Sequence, residues 1–142
     1  MLRIGMMVFL LIFTVCQSSL SHQDASSLQQ YQWKNRLIII NTNSEEAIEQ
    51  IKLFQKSNVD FQERDLVLIQ LKDNDVYVNS KQTALDAITI RKNLAIGRGF
   101  ECLLVGKDGS VKSRSREIKD AAYFFGLIDQ MPMRQSEMKK PG

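Results

Sequence analysis

The sequence predicts an α/β domain, a three-layer sandwich in which a central mixed sheet is flanked by helices. Two β-branched apolar runs, "RLIII" at 36–40 and "RDLVLIQL" at 64–71, have the composition of strands buried on both faces. A helical pattern separates them, and a helix between two strands makes a right-handed parallel crossover the default. A third apolar run, "FECLLVG" at 100–106, meets "KDGS", whose Asp-Gly suits a tight hairpin, so the "VKSRS" that follows should return antiparallel beside it. Parallel and antiparallel neighbours together require a mixed sheet.

Taken in order, the 142 residues are 44% hydrophobic and 25% charged, the balance of one globular domain. Residues 1–21 read as a secretory signal peptide: Arg3, an apolar run from Met6 to Val15, then small polar residues. The apolar run is short for a bilayer span. Cleavage after Ser21 would leave His22 first and a mature chain of about 120 residues. Lipidation of Cys16 is the competing reading, and Val15 speaks against it because that cleavage wants a smaller residue there. Loss of residues 1–21 leaves Cys102 as the single cysteine, with no intramolecular disulfide available in an oxidising compartment. Residues 22–35 are a polar leader with Leu28, Tyr31 and Trp33 as apolar anchors for the domain edge.

The domain proper is expected over 36–138, with a tail at 139–142. After the first strand, Thr42 with Glu45, or Asn43 with Glu46, fits a capping box, and Ala47, Ile48, Ile51 and Phe54 recur at helical spacing. "KDNDVYVN" reads as a polar turn and a short extended piece. A second helix is expected from Thr83, carrying Ala84, Leu85, Ala87 and Ile88 inward and ending near Asn93. The last helix places Ala121, Phe124, Ile128 and Met131 on one face before Pro132 ends it. This order of elements is that of the thioredoxin-like fold, though other small α/β sandwiches share it.

Three stretches go further: Arg64, Asp65 and Leu66; Gly106, Lys107, Asp108 and Gly109; and Met131, Pro132, Met133, Arg134, Glu137 and Met138. In this sequence order they resemble an uncharacterised thioredoxin-like domain family shared by short exported bacterial proteins and animal sushi-repeat-containing extracellular-matrix proteins. The resemblance covers about residues 35–138. It implies the fold and an exported compartment, and it implies no activity. The adhesion modules of the animal members are absent here.

The residues exclude several chemistries. A thioredoxin-type enzyme needs a cysteine at the N-terminus of the first helix, where the dipole and free N–H groups stabilise a thiolate. That segment is "NTNSEE", with no cysteine and two acids. The fold's oxidoreductases also place a cis-proline before the third strand; Gly99-Phe100 stands there, and the prolines are 132 and 141. His22, the single histidine, lies at the processed end, which removes histidine-based triads and zinc sites from the domain. Cys102, beside Leu103 and Leu104, reads as an inert core residue, the alternative being an exposed redox thiol activated by Lys107 or Arg98. Asp73/Asp75 and Glu45/Glu46 are accounted for by turn chemistry and the helix dipole. No cofactor is expected. Met131, Met133 and Met138 read as adaptable packing, with copper(I) binding as the outside alternative.

Residues 106–142 hold eight bases and five acids, against ten and eleven in residues 22–105. This surplus is too weak for a nucleic-acid binder. Strand alternation sends Lys112, Arg114 and Arg116 to one face and Val111, Ser113 and Ser115 to the other. Those cations have two readings: a charged edge that prevents aggregation, or, with Lys107, Asp108 and Arg134, a surface for a phosphate, sulfate or carboxylate. The sequence therefore favours a secreted or periplasmic, non-catalytic module that binds a protein or anionic partner through the basic strand and the Met-Pro-Met-Arg segment, without membrane insertion after signal cleavage. A thiol peroxidase or reductase using Cys102 is the alternative.

Overall fold

A computed structural model describes residues 27–140 of the chain; the signal-peptide reading, Cys16 and His22 fall outside them. Six strands form one mixed sheet in the order β4-β3-β2-β1-β5-β6. β1 (Arg36–Asn41) runs parallel to β2 (Leu66–Lys72), Ile38 opposite Leu68, and antiparallel to β5 (Glu101–Val105), Ile39 opposite Leu103. β3 (Asp75–Val78), β4 (Lys81–Thr83) and β6 (Val111–Ser115) complete it by antiparallel pairing.

Both faces of the central strands are covered, which is why their sequences are apolar without alternation. Ile38, Ile40, Leu66, Leu68, Cys102 and Leu104 pack under α1 (Glu45–Gln55), α2 (Asn58–Glu63) and α4 (Ala121–Asp129). Phe54, Phe61, Phe124 and Phe125 fill that layer, with ring centroids 5.2–6.0 Å apart in tilted and edge-on contacts. Leu37, Ile39, Ile69, Leu71, Leu103 and Val105 face the other way, onto α3 (Ala87–Asn93). Leu28 and Tyr31, on a short 3₁₀ turn, pack against this second layer as the leader reading anticipated, but Trp33 is 64% exposed.

Several local expectations change. Ser44, not Thr42 or Asn43, caps α1: its Oγ accepts from Ala47 N at 3.4 Å, while Thr42 takes a left-handed φ of 77° to turn the chain out of β1. Ile48 faces solvent, and beside the expected Ala47 and Phe54 the helix buries Gln50, which brackets the backbone of Lys119, donating to its carbonyl at 2.8 Å and accepting from its N–H at 2.9 Å. Gln50→Ala would orphan both groups, and a loss of about 2 kcal/mol in urea unfolding is the expected result. α2 was not anticipated, and β2 begins at Leu66 because Asp65 adopts φ 50°. Thr83 belongs to β4; α3 starts after Asp86, whose carboxylate accepts from the N–H groups of Ile88 and Thr89. Ala87 and Ile90 are its inward residues, Leu85 is buried just ahead of it, and Ala84 and Ile88 are exposed. Pro132 does not merely end α4; it is the first residue of α5 (Pro132–Lys139), where its missing N–H costs nothing.

Candidate functional site

At the end of β1, where this architecture would mount a reactive cysteine, the structure places a knot of hydrogen bonds. The side chain of Asn41, 2% exposed, donates to the carbonyls of Gly97 at 3.1 Å and Gly99 at 2.8 Å, and accepts from Arg91 Nε at 2.8 Å. Asn41 thereby ties the segment before β5 to the end of β1. Cys102 lies within β5, opposite Ile40 and Ser115, with no exposed surface, and burial pushes its thiol pKa up. A neutral, enclosed thiol is a poor nucleophile.

The opposite end of the sheet is where the three motif stretches meet. Arg64 forms a paired contact with Asp129, at 3.0 Å through Nε and 2.7 Å through Nη2, and its guanidinium lies 4.7 Å from the Phe125 ring centroid. Arg134, 5% exposed, reaches the same Asp129 at 3.2 Å and Glu63 at 3.0 Å. Lys107 Nζ binds Asp65 at 2.8 Å and Glu137 at 2.7 Å. Glu137 also receives both terminal nitrogens of Arg36, at 3.1 and 3.2 Å. Arg64–Asp65, Lys107 and Arg134–Glu137 are thus one ion-pair network that clamps α5 to the start of β1 and β2.

Titration follows from that network. Burial alone would raise the Glu137 carboxyl, but the hydrogen bonds and charges of Arg36 and Lys107 hold it below the usual range. Asp129 is held low by the hydrogen bond from Arg64, assisted by Arg134. Burial opposes the charge on Lys107, yet Asp65 and Glu137 together raise its pKa.

The six predicted binding residues do not form one surface. A β-bulge between Leu104 and Val105 inserts Lys112 as an extra residue, and the alternation that aligned it with Arg114 and Arg116 is broken there. Arg114, opposite Leu103, turns towards α3, donates to the Leu94 and Ala95 carbonyls and meets Glu101, which is fully buried, at 2.5 Å. Arg116 joins the same carboxylate at 3.1 Å. Arg134 is a structural member of the network just described. Lys112 instead crosses towards α4 and α5, its Nζ 2.8 Å from Asp108. That hydrogen bond, with those from the Ser110 N–H and hydroxyl, draws the Asp108 carboxyl down to about 2. Gly109, at φ 82°, supplies the left-handed residue of this turn.

Lys107, Asp108 and Lys112 therefore gather with Arg36 along one side of an open cleft of about 490 Å³, and Leu127, Met131, Pro132 and Met133 form the other. Met138 is not part of its lining, so the three methionines do not share one site there. Sequence reasoning missed Arg36, Glu101 and Asp129. Strand alternation carried the one available signal for Arg36, which shares the inward face of Ile38 and Ile40. No group of three or more His, Cys, Asp or Glu residues among the described residues is arranged to hold a metal ion, and no described helix is long and apolar enough to cross a membrane.

No curated protein matches the chain. Among solved structures it is similar to the crystal structure of the reduced 2-Cys peroxiredoxin of Plasmodium vivax, at 15% identity and a TM-score of 0.55, over 77% of this chain and 84% of that one. Likeness at that identity is one of fold, and the fold is thioredoxin-like. The model of one family, described as a domain of unknown function (DUF4174), matches residues 27–137, the span that contains the sheet, the clamp and the cleft, and the chain belongs to that family.

Proposed function

We propose that the protein is an exported, non-catalytic thioredoxin-like module that recognises a protein or anionic partner at the cleft between the Lys107–Lys112 turn and the Met131–Met133 segment. The compartment rests on the signal-like residues 1–21 and on the resemblance to exported proteins. The observation that carries the non-catalytic half is the seat of Cys102: mid-strand, fully buried and desolvated, while the first-helix loop offers only amides, hydroxyls and acids. The recognition half draws its support from the cleft, where cationic side chains border exposed apolar ones beside a turn.

The likeness to a 2-Cys peroxiredoxin gives the second reading, a thiol-dependent peroxidase working through Cys102. Both are tested in the full chain carrying Cys16→Ser, which leaves Cys102 as the one thiol. Maleimide labelling of the native protein at pH 7 is expected to be far slower than in guanidinium, with no consumption of hydrogen peroxide. Rapid native labelling, or peroxide turnover abolished by Cys102→Ala, would replace the recognition reading with the enzymatic one.

A further inference from the structure

We infer that the cavity between the leader and α3 is a second ligand site, one that takes a neutral saccharide; it lies across the Lys107–Gly109 turn from the cleft of the recognition reading and does not depend on that reading. One face of the sheet carries α1, α2 and α4, whereas the other carries only α3, seven residues or about 10 Å of helix. The 3₁₀ turn at Leu28–Tyr31 covers part of the remaining face and leaves a cavity of about 450 Å³, floored by Leu37, Ile90, Leu94 and Val105. That volume lies within the range of about 300–1,000 Å³ found for small-molecule sites.

The polar groups of its walls are almost all uncharged. Gln29, Gln32, Asn35 and Asn93 line it with carboxamides, each carrying donors and an acceptor on one planar fork. Gln32 donates one N–H to the Asp108 carbonyl and Asn35 one to the Asp65 carbonyl, and neither bond uses the side-chain oxygen. Tyr31 stands among them, half-buried. Burial alone raises its hydroxyl pKa, and among the described residues neither a hydrogen bond nor a charge acts on it. A phenol withdrawn from water ordinarily finds a partner, so this hydroxyl marks a site independently of the cavity's size.

Those groups select the class of ligand. Asp108 is the single charged residue of the lining, and its carboxylate is already held by Lys112 and Ser110, so a cation finds no free counter-charge and an anion meets repulsion. A purely apolar molecule would strip water from the carboxamides and the phenol without replacing its hydrogen bonds. A molecule that only accepts, or only donates, would satisfy one half of each carboxamide. Hydroxyl groups do both, and neighbouring hydroxyls on a sugar ring match the fork of an amide, while the C–H face of the ring suits an aliphatic floor. A peptide main chain also donates and accepts, but a sheet reads it at an edge strand, and this cavity opens on the face of the sheet.

The test titrates the ¹⁵N-labelled full chain with glucose and with N-acetylglucosamine, and compares glucuronate and N-acetyl-trialaninamide. The expected result is a saturable shift of the Gln32, Asn35 and Asn93 side-chain amides by at least one of the two sugars, with glucuronate and the peptide about fivefold weaker or worse. Tyr31→Phe, which keeps the packing of the ring, should weaken the sugar about fivefold, and Asn93→Ala, at the exposed end of α3, about threefold, both without change in melting temperature. Met133→Ala, in the other cleft, should leave sugar binding as it is. No saturable shift from either sugar at tens of millimolar, shifts confined to another surface, parental affinity in both Tyr31→Phe and Asn93→Ala, or equal or tighter binding of glucuronate or the peptide would each overturn the inference.

Discussion

Glu137→Ala is expected to be the most destabilising single substitution outside the apolar core, at about 4 kcal/mol, the scale for removing one partner of a buried ion pair. Glu137 is the shared acceptor of Arg36, 1% exposed, and Lys107, 9% exposed. Its loss leaves Arg36 with a single carbonyl acceptor within the protein, and Lys107 with Asp65 alone. α5 would lose its tie to β1 at the same time. Urea unfolding measures the change, and a loss under about 1 kcal/mol would show that the clamp is not a stabilising element.

The pH dependence has a definite sign. The carboxyl of Glu137 is held below its unfolded value, so its contribution is complete above the unfolded pKa of about 4.3 and disappears as pH falls through the lower folded value. Asp129 behaves alike. Lys107 is raised, so its contribution is complete below about 10.4 and disappears as pH rises through the higher folded value. Neutral pH retains all of these contributions. The stability gap between the parent chain and Glu137→Ala should therefore narrow as pH drops below about 4.

Arg114→Ala should cost about 3 kcal/mol, whereas Lys112→Ala should leave the melting temperature nearly unchanged. Alternation along the strand assigned both lysine and arginine to one solvated face, where neither would matter to folding. The structure separates them. Arg114 is the close partner of a carboxylate with no exposed surface and holds the carbonyls at the end of α3, leaving after its removal only Arg116, whose side chain is 75% exposed. Lys112 makes an exposed pair with Asp108, four residues away. Thermal melts of the two single variants distinguish these roles, and equal melting temperatures would mean that Glu101 does not depend on Arg114.

The family stretches show why one reading of the sequence reached the fold while missing the use of its charged residues. Arg64, Asp65, Lys107, Arg134 and Glu137 were quotable as motifs, yet nothing in their spacing showed that they neutralise one another. Of these, Arg134 looked like part of a binding surface and is instead consumed by Glu63 and Asp129. Lys107 belongs to both descriptions, being a clamp residue that also borders the cleft. Gln50 gave no sign of its role, because a glutamine on a helix is ordinarily solvated and its partners, the backbone groups of Lys119, lie 69 residues away.

What the sequence determined by itself was local and periodic: three strands buried on both faces, the helices between them, the Asp-Gly turn, and a first-helix loop without a thiol. Burial of apolar runs and turn chemistry are decided over a few residues, so they survive being read in isolation. Only the tertiary structure decided that Lys112 parts company with Arg114, since a single bulged residue reverses which face a side chain takes. It alone decided that Arg36 meets Glu137 across 101 residues of chain, because ion pairing acts through space and the acceptor for a buried charge is chosen by the packing of α5, not by the neighbours in sequence.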